Sequence, residues 1–245
     1  MEKPIRPEPK IVPAAGRPPL VRAKPLGPED RIAPRRDATT PALGGLRYLA
    51  VSREAGSGGE DVAQAVASRL GWGVYDKDRL DDVIQQLLIS GTILDTADTP
   101  GDWGHESSGS AIDRNLVPHE GYVPQLVQAV AEVSKRGNAV FIGRAAQFIL
   151  PRDETLAVRI VASEKYRILQ ITAHTGVAGA AALQSIRAQD EARRRFAQRF
   201  FRHDLTDPHE FDLVINVELC GQQRAANLLL GALSGRIAPS ARAPQ

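Results

Sequence analysis

The stretch YLAVSREAGSGGEDVAQAVASRL, residues 48–70, constrains the fold more than any other part of the chain. It opens on an apolar run of strand length and turns through Gly56, Gly58 and Gly59. It then continues with Val62, Ala65, Val66 and Leu70 at helical spacing. A strand feeding straight into a helix returns to a parallel neighbour by a crossover, so this unit commits the chain to a βα architecture.

The same alternation runs on. WGVYD reads as a strand, KDRLDDVIQQLLISG as a helix closed by Gly91, and TPGDWGHESSGS as a Gly and Ser-rich surface loop. GYVPQLVQAVAEVSKRG reads as a helix that feeds the buried strand NAVFIGR, and TLAVRIVAS as a further strand. EKYRILQITAHTG predicts a helix ending at Gly176, followed by a long Arg-rich helical region to His203, the strand FDLVINV and a final helix. Five strands with intervening helices predict an α/β fold, its central parallel sheet covered on both faces.

Composition sets the boundaries. Residues 1–45 hold ten of the seventeen prolines, no aromatic residue, and nine Lys or Arg against five Asp or Glu. Such a segment cannot bury enough surface to order itself, so a disordered Pro/Arg-rich tail is expected there. The folded domain is expected over residues 46–235 and a short disordered tail over 236–245. With 42% hydrophobic residues, the chain can supply a sizeable core.

Several function classes recede on the same grounds. The single cysteine, Cys220, forms no internal disulfide, and the five His are scattered rather than clustered for a metal. No apolar stretch approaches the roughly 20 residues that span a bilayer, and the first residues lack a signal-peptide core. A cytoplasmic location is therefore the expectation. The tail carries a net +4, nine minus five, which leaves residues 46–245 at −2, twenty-two minus twenty-four. An Arg-rich polyanion binder, nucleic acid included, is thus the least favoured reading.

The glycine turn carries the chemistry. A strand turning through glycines into a helix presents backbone N–H groups and the positive end of the helix dipole to one point, which suits a phosphate. The usual loop, GxxxxGK[ST], adds a Lys for the outer phosphates and a hydroxyl for magnesium. Here Glu60 and Asp61 follow the glycines. Carboxylates in a first helical turn also serve as dipole partners worth about 0.3–1 kcal/mol, so helix capping without a ligand stays open.

The segments SREAGSGG, VYDKDRL, VFIGRAAQFIL, SIRAQDEARRRF and DPHEFDLVIN occur in an order and spacing that resembles the cytidylate-kinase-like proteins, a branch of the P-loop nucleoside monophosphate kinases. The resemblance covers roughly residues 46–235. It implies a three-layer P-loop kinase fold with a helical lid, ATP and Mg2+ as cofactors, and phosphoryl transfer to a nucleoside monophosphate such as CMP. By the same resemblance Ser52, Gly56, Ser57, Gly58 and Gly59 form the phosphate loop, with Arg53 a cation at its start. Arg144 resembles the Arg that holds the acceptor phosphate, and Asp76 an acceptor-side carboxylate. Arg187, Asp190 and Arg193 resemble the lid.

Three departures bear on catalysis rather than fold. Gly59 falls where the loop Lys of true cytidylate kinases stands, Glu60 and Asp61 replace a basic residue that relatives carry after the glycines, and Ala145 replaces a carboxylate. Phosphoryl transfer asks for alignment and charge neutralisation, and Arg offers a permanently charged, bidentate fork, so Arg53 and the lid arginines are candidates for the missing cation. Along SIRAQDEARRRF, Arg187, Asp190 or Glu191, and Arg194 stand three or four apart, which predicts acid–base pairing along one helical face. Two functional readings follow: a kinase with a Lys-less loop compensated by Arg, or a nucleotide-binding module without turnover. Homo-oligomerisation is left open.

Overall fold

The computed structural model describes residues 45–92, 121–177 and 179–235. The tails expected over 1–45 and 236–245, apart from Gly45, lie outside the described residues, as does the loop TPGDWGHESSGS.

Five parallel strands form one sheet in the order β2-β3-β1-β4-β5. The strands are β1 (Tyr48–Arg53), β2 (Gly73–Tyr75), β3 (Ala139–Ile142), β4 (Thr155–Val161) and β5 (Leu213–Asn216). Helices α1 (Gly59–Leu70), α2 (Lys77–Ile89), α3 (Tyr122–Lys135), α4 (Glu164–Thr175), α5 (Gly179–Phe201), α6 (Val217–Cys220) and α7 (Gln222–Leu233) connect and follow them.

Because side chains alternate along a strand, β1 feeds two separate cores. Tyr48 and Ala50 pack with Leu80, Ile84, Leu126, Val130 and Phe196, which places α2, α3 and part of α5 on one face. Leu49 and Val51 pack with Val62, Val66, Trp72, Leu229 and Leu233, which places α1 and α7 on the other. The result is a three-layer α/β fold, with the long α5 reaching the loop after β1.

Strand β1 lies between β3 and β4: the chain builds β2 and β3 on one side of it and then crosses to β4 and β5 on the other. The register pairs Val51 with Ile142 on one side and Arg53 with Ile160 on the other. The carboxyl ends of three strands therefore finish side by side, the place where open α/β sheets bind ligands. Three local devices shape this edge. Gly58, at φ 79°, caps the start of α1, Asp76 caps α2 by accepting from the Arg79 N–H at 3.0 Å, and Ser163 caps α4 by accepting from Tyr166 N–H.

Candidate functional site

The loop after β1 is built around the side chain of Arg53. A Cβ on Gly59 would stand 2.6 Å from the Arg53 Cβ, and one on Gly143 would stand 2.2 Å from the Arg53 Nη1. Arg53 thus runs across the start of α1 and reaches the turn after β3. Its guanidinium donates to Glu60 Oε1, with Nη2 at 2.5 Å. The Arg53 side chain is 14% exposed and that of Glu60 65%.

Asp61, the second acid, is turned away toward α7, where the Gln222 amide donates to its Oδ2 at 3.3 Å. The two acids that follow the glycines therefore have different fates. Burial raises the pKa of Glu60, but Arg53 beside it, helped by Arg193, outweighs this and holds the carboxyl below its ordinary 4.5.

A second network joins the loop to the lid. Asp190 of α5 accepts from the Ala55 backbone N–H at 2.7 Å and from Arg167 Nη1 at 2.5 Å, and lies 3.5 Å from Arg193 Nη1. Arg167 also donates to the Ala55 carbonyl at 3.3 Å. A Cβ on Gly56 would stand 2.8 Å from the Arg167 carbonyl oxygen, so α4 is packed directly onto the turn. Glu54 completes the set: it accepts from the Ala162 N–H at 3.1 Å and lies 3.6 Å from Arg167 and 3.8 Å from Arg159.

Two adjoining clefts open on this edge. The first, about 220 Å³, is lined by the cations Arg53, Lys77, Arg144 and Arg193, with no carboxylate among the described residues of its lining. The second, about 320 Å³, is lined by Arg159, Arg187 and Arg194 together with Glu54, Asp190 and Glu191. Arg53 and Arg193 line both. They lie close, since Arg193 Nη1 donates to the Arg53 carbonyl at 3.3 Å. Burial first, and repulsion from Arg53 second, push the Arg193 guanidinium down to about 10, against the attraction of Asp190 and Glu60. Arg193 remains charged at neutral pH, and an anion bound here relieves the repulsion.

Each expected site residue has a definite place. Ser52 accepts from Arg159 at 3.2 Å at the end of β1. Ser57 is fully buried, its hydroxyl without a partner among the described residues. Gly56 and Gly58 take left-handed conformations, at φ 76° and 79°. Arg144 lies in the first cleft, while Asp76 is engaged in capping α2. Arg187 departs from the pairing expected along its own helix. It reaches across to Glu164 of α4 at 3.0 Å, while Glu191 alone pairs with Arg194 and Arg195.

The Ala55 N–H of the loop holds the Asp190 carboxylate, with the guanidiniums of Arg53 and Arg193 lining the cleft beside it. Magnesium needs a different set. Among the described residues no group of three or more His, Cys, Asp or Glu side chains is placed to hold a metal. Glu54 and Glu60 each face guanidiniums, and Asp61 is bonded to Gln222. Mg2+ is commonly held by one or two carboxylates and the substrate's own phosphates, with water completing the shell. Among the described residues, each of these three carboxylates is already engaged, and they form no all-protein cage.

Residues 48–219 match the cytidylate kinase-like family. The chain belongs to that family. No curated protein matches the chain. Among solved structures, an uncharacterized protein from Eubacterium ventriosum superposes with a TM-score of 0.61 at 18% identity, covering 77% of this chain and 98% of that one. Weaker likenesses include a shikimate kinase from Acinetobacter baumannii, solved with shikimate, at TM-score 0.44 and 10% identity, covering 81% and 98%. A gluconokinase from Sinorhizobium meliloti scores 0.39 at 18% identity, covering 77% and 97%.

Family membership leaves the distinctive parts of this edge to the chain itself. Glu54, Arg159 and Arg167 were not singled out by sequence, although one of them left a trace. Arg159 interrupts the apolar strand TLAVRIV, and a charge in a buried strand must find a partner. Arg167 left none, since a single Arg in an amphipathic helix is unremarkable by pattern.

Proposed function

We propose that this chain is an ATP-dependent kinase that transfers a phosphoryl group to a nucleoside monophosphate, CMP-like, or to a similar small phosphorylated acceptor. The observation that carries the reading is the meeting of two clefts at Arg53 and Arg193. The carboxylate-free cleft with Lys77 and Arg144 takes the acceptor phosphate, and the mixed cleft under α5 takes the donor phosphates.

In the reaction an acceptor phosphate oxygen forms a bond to the γ-phosphorus of ATP as the bond from that phosphorus to the ADP oxygen breaks. Mg2+, when bound with the nucleotide, neutralises charge on the donor phosphates. The chain's own work is alignment and electrostatics. Arg144 holds the acceptor, and Arg53 and Arg193 stand at the boundary where charge passes from one ligand to the other. Arg53 must leave Glu60 to do so. Arg forks bind two phosphate oxygens at once, which suits the exchange.

A second reading, a nucleotide-binding module without turnover, is favoured by the same two contacts that occupy the loop: Glu60 on Arg53 and Asp190 on the Ala55 N–H. Incubation with Mg-ATP and each nucleoside monophosphate in turn, following ADP, separates them. Acceptor-dependent ADP formation that falls sharply in Arg53→Ala and Arg144→Ala supports the kinase. ATP binding without ADP formation for any acceptor supports the module.

A further inference from the structure

Arg144 is held in an unusual way. The turn after β3 carries three successive residues at positive φ: Gly143 at 76°, Arg144 at 54° and Ala145 at 53°. For a non-glycine residue this conformation costs on the order of 1–2 kcal/mol, and such strain persists only where the surroundings impose it. Here two aromatic rings flank the side chain. The guanidinium carbon lies 5.1 Å from the centroid of the Tyr122 ring and 5.5 Å from that of Phe196.

No carboxylate is within ion-pair distance of Arg144 among the described residues, and its Nε is buried without a hydrogen-bond partner. That sets it apart from Arg53, Arg159, Arg167, Arg187 and Arg193, each of which faces an acid. Aromatic faces attract a cation without neutralising it. A carboxylate would have fixed the guanidinium equally well but would have competed with any incoming anion.

The Tyr122 ring is itself fixed. Its hydroxyl donates to Asp81 Oδ1 at 2.7 Å, and Lys77 Nζ donates to the other oxygen, Oδ2, at 2.9 Å. Burial, with the bond and charge of Asp81, raises the pKa of the Tyr122 hydroxyl against the pull of Arg144, so it stays a donor throughout the neutral range. Asp81 therefore ties the ring under Arg144 to the ammonium of Lys77, and both cations line the same carboxylate-free cleft.

We propose that Tyr122 and Phe196 are positioning residues that hold Arg144 open for a dianionic phosphate, free or esterified, with Asp81 setting Tyr122 and Lys77 around the same subsite. The inference rests on the acceptor role given to Arg144 but is read by binding, so it can fail or stand separately from catalysis. The two rings come from α3 and the lid helix α5, so the grip on Arg144 depends on both elements keeping their places.

The test is calorimetric titration of the full chain with inorganic phosphate and, separately, with CMP, beside the thermal midpoint of each variant. Wild type binds at least one of the two, and Arg144→Ala loses most of that affinity. Tyr122→Phe, which keeps the ring but loses its bond to Asp81, loses about threefold, whereas Tyr122→Leu and Phe196→Leu lose about tenfold. Tyr122 is only partly buried, so Tyr122→Leu is the decisive variant if Phe196→Leu does not fold. Binding of CMP but not of phosphate marks the esterified ligand, and comparable binding of both marks the bare dianion.

A folded Tyr122→Leu protein with wild-type affinity overturns the proposal. So does a wild type that binds neither probe, or an Arg144→Ala protein that binds as wild type does. Ring-dependent binding with no phosphoryl transfer to any acceptor leaves the inference standing and removes the kinase reading.

Discussion

The side chain of Arg53 lies so close over Gly59 that a Cβ on residue 59 would stand 2.6 Å from the Arg53 Cβ. The loop thus has Arg at the end of β1 and Gly at the start of α1, and the two choices are sterically coupled. A side chain at residue 59 would meet Arg53.

The first prediction follows. Gly59→Lys destabilises the fold by about 1–3 kcal/mol through overpacking, read as a lower urea midpoint. Adding Arg53→Gly removes the obstructing side chain, and the double variant recovers most of that loss despite the glycine's own cost of about 0.5–1 kcal/mol. Additive losses in the two single variants and the double would contradict the coupling.

Glu60→Gln releases Arg53 and is expected to tighten phosphate or ATP binding by roughly threefold to tenfold, in line with a charge-assisted pair of about 1 kcal/mol. Because Glu60 is largely exposed, the change in stability at neutral pH is expected to stay below about 1 kcal/mol. The sign with pH is fixed by the lowered carboxyl value. The pair contributes above the ordinary 4.5 and is lost as pH falls through the value in the folded protein. Wild type therefore loses stability relative to Glu60→Gln as pH drops from about 5 toward 3, measured as the difference in thermal midpoint. A difference that does not change with pH would count against the pair.

Asp190 clamps the lid helix to the phosphate loop through the Ala55 N–H and Arg167. Arg167 is only 11% exposed, so removing its partner leaves a poorly solvated charge. Asp190→Ala is expected to cost about 2–4 kcal/mol. A double-mutant cycle with Arg167→Leu should show a coupling of about 1–3 kcal/mol. Coupling near zero would mean that the clamp does not hold the lid.

Anion binding at the junction should weaken in strongly alkaline solution. The Arg193 guanidinium is pushed down to about 10, so it loses its proton as pH rises through that value. Phosphate-induced stabilisation of wild type is expected to be level from about pH 7 to 9 and to decline by about pH 10.5, as Arg193 loses its proton. Arg193→Gln should show smaller stabilisation and no such decline. An identical profile in the two proteins would exclude Arg193 from the anion site.

The sequence made the βα alternation legible because strand and helix periods are local. The strand, glycine turn and helix of residues 48–70 needed no distant partner to be recognised, and the sheet expected to be covered on both faces has a core on each side of β1. The directions of Glu60 and Asp61 were not legible. Asp61 is set by Gln222, 161 residues away, and the lid pairing of Asp190 by Ala55, 135 residues away. Local spacing accounted for Glu191 with Arg194 and Arg195, but Arg187 chose Glu164 on another helix. The aromatic hold on Arg144 likewise joins α3, β3 and α5, which no single stretch of sequence brings together.

The central claim is phosphoryl transfer between two ligands that meet at Arg53 and Arg193, and 31P NMR of the protein with Mg-ATP and nucleoside monophosphates tests it most directly. The expected result is the paired growth of ADP and of a new nucleoside diphosphate with one acceptor, lost in Arg53→Ala and Arg193→Ala. Intact ATP with every acceptor, or ADP and free phosphate with no new diphosphate, would contradict it.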